Sequence, residues 1–146
     1  MPEFDLDSFL PYQLAVIANR VSREFSTIYA ERFGLTIPEW RVLVHIHSTG
    51  PSADPVSIRE IHARVEMDKS KVSRAVSRLE NTGLVTKTTN PTDRRLLSLA
   101  LTEKGTALMA ELTPLATDFE ARLMDRLGMD ASSFRQTLDK FLKDTP

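Results

Sequence analysis

Apolar residues recur at two distinct periods along this chain. Leu10, Leu14, Ile17, Val21, Phe25 and Ile28 are spaced by three and four, which places them on one helical stripe. The spacing predicts a helix over residues 7–33, capped by Asp7 or Ser8, with Pro11 tolerated in its first turn and Gly34 ending it. Thr36-Ile37-Pro38-Glu39 reads as a capping box, the threonine accepting from the backbone and the glutamate returning the bond. The helix it opens is expected to bury Trp40, Leu43, Val44 and His47. Residues 48–55 are dense in breakers and read as a loop. A second box, Ser57-Ile58-Arg59-Glu60, opens a short helix with Ile58, Ile61 and Val65 inward. After a turn at Glu66-Met67, Asp68 caps a helix over 68–81 whose Val72, Val76 and Leu79 face the core, and Gly83 suits its left-handed exit.

The period then falls to two. Leu84 to Thr89 is rich in β-branched residues, and Leu97, Leu99 and Leu101 alternate with Leu96, Ser98 and Ala100. Between them Asn90-Pro91-Thr92-Asp93-Arg94-Arg95 forms a turn, which predicts a β-hairpin with a basic tip. Thr102 caps a second long helix striped by Leu108, Leu112, Leu115, Phe119, Leu123 and Leu127, interrupted and kinked by Pro114 and ended by Gly128. Phe134, Leu138, Phe141 and Leu142 mark a last amphipathic helix. With no internal repeat, low-complexity tract or long linker, one domain over 1–146 is expected. Its fold class is mainly α with a small β-hairpin wing: a winged helix-turn-helix over 36–101, flanked by terminal helices over 7–33 and 102–143.

Composition sharpens this picture at three points. Absence of cysteine excludes thiol redox sensing, disulfides and Cys-type zinc sites. The acidic start, Met1 to Asp5, lacks the basic and apolar regions of a secretory leader, and no apolar run approaches the ~20 residues of a membrane span. A soluble, cytoplasmic protein without membrane contact is therefore expected. Net charge is −1, yet residues 59–95 hold nine Lys/Arg against five acids, a local +4 that leaves −5 elsewhere. Polyanion binders show this asymmetry, although a solvated charged face also does.

The cations fall where a groove reader needs them. A recognition helix must bury an apolar stripe while its first turns offer short polar donors and cations to bases and phosphates. Lys69, Ser70, Lys71, Ser73, Arg74, Ser77 and Arg78 avoid the apolar stripe and are the candidate major-groove contacts. Arg94 and Arg95, at the wing tip over 90–95, suit insertion into a narrow, negative minor groove. Asp93 is the expected support of the turn or of an arginine, because a carboxylate beside phosphate is repelled. Double-stranded DNA is thus the expected partner. The alternative is a protein-interaction module that uses the same fold without DNA.

Several motifs together resemble the MarR family of transcriptional regulators along essentially the whole chain. They are Gly34-Leu35-Thr36-Ile37-Pro38-Glu39-Trp40, Ser70 to Leu79, Glu80-Asn81-Thr82-Gly83-Leu84-Val85, Asp93-Arg94-Arg95, and Leu101-Thr102-Glu103-Lys104-Gly105. The Asp-Arg-Arg wing and the Leu-Thr-x-x-Gly exit discriminate most. The resemblance implies a homodimer on a pseudo-palindromic operator, usually a repressor, released by a small phenolic or anionic effector bound between the dimerisation helices and the winged domain. Two long striped terminal helices, hard to satisfy within one such monomer, independently favour a dimer.

Other candidates are weighed against blander roles. His45, His47 and His62 could suggest metal sensing, but residues two apart on a helix point about 200° from each other, so no metal site is expected. Trp40 packs in the core by default; the resemblance raises the option of an effector pocket with Tyr12, Arg41 and His45, Arg41 facing an anion. Met109, Met124 and Met129 read as gap-filling core. No nucleophile triad, phosphate loop or metal-ligand pair is present, so neither an enzyme nor a cofactor is expected.

Overall fold

A computed structural model describes residues 3–48, 56–89 and 97–145. Helix α1 (Leu10–Phe33) begins at Leu10, not at residue 7, and its N-cap Phe9 offers no side-chain bond. The expected caps are engaged in the preceding turn instead. Asp7 N–H donates to the Asp5 carboxylate at 3.2 Å, and the Ser8 hydroxyl donates to the Asp5 carbonyl oxygen at 3.3 Å. Gly34 ends the helix at φ 68°, as the breaker pattern required.

Helix α2 (Ile37–Ser48) turns a different face inward from the expected one. Glu39, Val42, Leu43 and Ile46 are buried, Trp40 and Val44 are half-buried, and His47 is exposed. The stripe is a run at i, i+3, i+4 and i+7, and it starts on a charged residue that hydropathy alone assigns to the surface. Strand β1 (Val56–Ser57) precedes α3 (Ile58–Val65), whose N-cap Ser57 accepts from Glu60 N–H at 3.0 Å. Ile61 and Val65 are buried there, with Ile58 half-buried. Glu66 adopts φ 52° to make the turn into α4 (Lys69–Asn81).

Strands β2 (Val85–Thr89) and β3 (Leu97–Leu101) pair antiparallel from Val85↔Leu101 to Thr89↔Leu97. The hairpin is not isolated, because β1 pairs with the other edge of β3 through Val56↔Leu99 and Ser57↔Ser98, giving sheet order β1-β3-β2. That third strand has two residues beside a breaker-rich loop, too short for any period to show. Leu99, flanked on both sides, is fully buried.

Helix α5 (Glu103–Leu127) stays helical through Pro114, so the expected interruption does not occur. Its buried residues are Gly105, Met109 and Leu112, with Leu108 only half-buried. The chain forms two compact units, Met1–Leu112 and Thr113–Pro146, which divide within α5. In the second unit a 3-10 turn (Gly128–Asp130) leads to α6 (Ala131–Asp144), and Arg135 pairs with Glu120 at 3.2 Å. Phe134, Leu138, Phe141 and Leu142 of α6 are exposed, as are Leu10, Leu14 and Ile17 of α1. Met109 fills core as expected, Met124 is half-buried, and Met129 is fully exposed. Among the described residues, no helix is long and apolar enough to cross a membrane.

Candidate nucleic-acid interface

Helix α4 divides cleanly into two faces. Val72, Ala75, Val76 and Leu79 are buried, and Lys69, Ser70, Lys71, Ser73, Arg74, Ser77 and Arg78 are all exposed. The first turn is set by Asp68, whose carboxylate accepts from Lys71 N–H at 2.9 Å and from the Ser70 hydroxyl at 2.7 Å. Those two bonds, the backbone one foremost, hold the Asp68 carboxyl below its ordinary pKa. Ser70 thus has its hydroxyl proton committed to the cap and offers its lone pairs outward.

Lys71, Arg74 and Arg78 form a row along one edge of α4. With Thr36 and Pro38 they line an open cleft of about 500 Å³. Arg78 is fixed in that row from below. Its guanidinium donates to Glu39 Oε1 at 3.4 Å, across 39 positions of sequence. Glu39 does not return a bond to the Thr36 backbone as the capping box implies. Its carboxylate accepts from the Thr36 hydroxyl at 2.9 Å, and the same hydroxyl oxygen accepts from Glu39 N–H at 3.3 Å.

The wing tip, including Asp93, Arg94 and Arg95, lies outside the described residues. The base that carries it is tightly tied. Lys87 on β2 pairs with Glu80 on α4 at 3.8 Å. The Thr102 hydroxyl donates to the Gly83 carbonyl at 2.6 Å and accepts from Gly105 N–H at 3.0 Å. Lys104 Nζ donates to the Thr82 carbonyl at 2.8 Å. A Cβ at Gly105 would collide with the Leu84 carbonyl oxygen, so only glycine permits this approach. These contacts give the Leu-Thr-x-x-Gly exit a physical meaning: it joins the start of α5 to the end of α4 and the root of the wing.

The four effector candidates have different surroundings. Trp40 packs against Phe25 at 5.1 Å and stacks on Tyr29 at 5.6 Å between ring centroids. Burial in that cluster pushes the Tyr29 phenol up to about 12, with Arg41 opposing. Tyr12 is exposed, and His45 Nδ1 lies 2.6 Å from the Arg41 carbonyl oxygen, within α2. Arg41 alone of the four lines a second open cleft, of about 570 Å³, with Asn19, Ser22 and Arg23 of α1, Ile37 and Pro38 of α2, and Met67 and Lys71. Three cations and no acid face it.

Comparison with known proteins bears on both clefts. The sequence model of the MarR family matches residues 33–96, from the last residue of α1 to just before β3. Among solved structures, a MarR family transcriptional regulator from Silicibacter pomeroyi DSS-3 superposes with TM-score 0.80 at 28% identity, over 97% of this chain and 98% of that one. The chain thus carries the MarR sequence pattern over residues 33–96 and has the fold of a MarR family regulator along nearly its whole length. The HTH-type transcriptional repressor IacR of Pseudomonas putida is 30% identical over 103 residues, 70% of this chain and 59% of that protein, so the chain spans less than two thirds of that relative's length. BpsR of Bordetella bronchiseptica, whose DNA binding is regulated by 6-hydroxynicotinic acid, shares the fold at TM-score 0.82 and 20% identity, over 99% of this chain and all of that one.

The region matched by the MarR model carries the whole lining of the α4 cleft, and that of the second cleft apart from its α1 wall. All seven α4 candidates expected from the sequence lie on its exposed face. Sequence reasoning missed Asn19, Ser22 and Arg23, which sit on the polar side of a helix read for its apolar stripe. It also missed Glu39, whose partner is remote in sequence.

Proposed function

We propose that this chain is a MarR-family regulator, a sequence-specific, double-stranded-DNA-binding repressor. It acts in the cytoplasm as a homodimer on a pseudo-palindromic operator. The observation that carries this reading is the two-faced α4, buried along Val72, Ala75, Val76 and Leu79 and presenting only serines and cations from its first turns. Such a helix enters the major groove, where serines allow close seating and cations reach phosphates. Arg94 and Arg95 enter the adjacent minor groove, and Asp93 supports the turn. The exposed apolar residues of α1 and α6 are the dimer contacts, which supplies the two-fold symmetry that half-sites require.

A small aromatic or anionic effector releases the DNA. The Arg23, Arg41 and Lys71 cleft favours a carboxylate, and regulation of BpsR by an aromatic acid is consistent with that chemistry. Selection from random duplexes at several salt concentrations tests the function. Half-sites about one helical turn apart and a steep loss of affinity with salt are expected; absence of any sequence preference at moderate ionic strength overturns it. Titrating the complex with aromatic carboxylates, 6-hydroxynicotinic acid among them, tests the cleft. Any acid that releases the parent is expected to be needed at higher concentration for Arg41→Ala, and unchanged release removes Arg41 from the site.

A further inference from the structure

Glu39 is an anomaly on this interface. A carboxylate is 6% exposed beneath a surface whose other charges are cationic. A buried charge is costly unless it is paired and hydrogen-bonded, and both its partners are known: the Thr36 hydroxyl at 2.9 Å and the Arg78 guanidinium at 3.4 Å. Its negative charge also opposes binding of a polyanion close by. Neither helix capping nor groove electrostatics accounts for a buried acid that reaches out of its own helix to a cation of α4.

We infer that Glu39 is a positioning residue for DNA recognition. Anchored by Thr36 at the start of α2, it aims the guanidinium of Arg78 at base edges while Lys71 and Arg74 beside it hold phosphates. Arg78 suits this role because its planar fork carries five donors. Nη1, turned toward Glu39, sets its orientation, and the side chain, 54% exposed, lines the cleft. The inference rests on the DNA-binding reading, and it deepens that reading by giving Arg78 a fixed aim in place of a mobile charge.

Glu39→Gln separates this role from its rivals. The change keeps shape and an acceptor oxygen for both Thr36 and Arg78, so what it removes is the charge-assisted hold on the guanidinium. Because a negative charge near DNA goes with it, simple electrostatics predicts tighter binding to every duplex. Positioning predicts that affinity for the selected operator falls about tenfold, in line with coupling energies within a charged network, while affinity for random duplex stays equal or rises. A purely structural role lowers both affinities together with the melting temperature. Arg78→Gln should show the same loss of operator preference, and the double variant should lose no more than either single one. Thr36→Val, which keeps the carboxylate charge but frees it, should lose part of the preference and guards against misfolding of the Gln variant. Equal change toward operator and random duplex, or full additivity in the double variant, overturns the inference. A parent without duplex preference fails earlier, at the proposed function, and this inference falls with it.

Discussion

At the scale of single residues, small groups settle how helices start and stop. Asp68 is an exposed cap whose carboxyl is held below its ordinary pKa, mainly by Lys71 N–H and then by the Ser70 hydroxyl. A depressed carboxyl contributes stability above its unfolded pKa and loses it as pH falls through the folded value. Helicity of α4 should therefore weaken on acidification below the ordinary aspartate range. Asp68→Asn still caps but does not titrate there, and circular dichroism across that window should show a flatter profile for it. Two glycines separate conformational from steric demand. Gly34 sits at φ 68° with nothing within 4 Å of a Cβ, so Gly34→Ala should cost about 1 kcal/mol, the left-handed penalty alone. Gly105 meets backbone at Leu84, so Gly105→Ala forces the start of α5 away from the wing root and should cost about 1–3 kcal/mol. Urea unfolding of both variants checks the order; equal losses would contradict the Gly105 contact.

Among elements, the proposed DNA binding gives α4 and the wing separate work. Each phosphate neutralised by a side chain contributes about one unit to the salt dependence of binding. Lys71→Gln and Arg74→Gln should each weaken binding to all duplexes and lower the slope of log affinity against log salt by about one. Arg94→Ala or Arg95→Ala, if the wing reads the minor groove, should cost about 1–3 kcal/mol for each lost base contact, with the fold intact. Fluorescence anisotropy over a salt series measures both effects, and parental slopes in both lysine and arginine variants would remove the cation row from the interface. The face of α4 was legible because its period is regular and its cap is local. The face of α2 was not. Trp40 looks like core by hydropathy, whereas the buried set runs through Glu39, Val42, Leu43 and Ile46, a choice made by a partner on another helix. Strand β1 was equally hidden, since two residues carry no period and their pairing with β3 lies some forty positions away.

For the whole molecule, the telling feature is apolar surface left uncovered within one chain. Leu10, Leu14 and Ile17 on α1, and Phe134, Leu138, Phe141 and Leu142 on α6, are exposed, and exposed contiguous apolar faces mark association sites. Ile17→Glu or Phe141→Glu should convert a dimer to monomer, and operator affinity should fall with it because one half-site alone remains. Sedimentation velocity at matched concentrations checks this; variants that sediment as the parent does would place the dimer contact elsewhere.

Sequence alone determined the order of the six α-helices and the two hairpin strands, the two faces of α4 and the caps at Thr36, Ser57, Asp68 and Thr102. All of these depend on neighbours within a few positions, where periodicity and hydrogen-bond reach are direct consequences of residue order. Tertiary structure alone decided that Glu39 is buried against Arg78, that Trp40 stacks in an aromatic cluster, that Arg41 shares a cleft with α1, and that only glycine fits at 105. Each of those depends on which distant segment the chain path brings alongside, and pairing across space leaves no trace in local spacing.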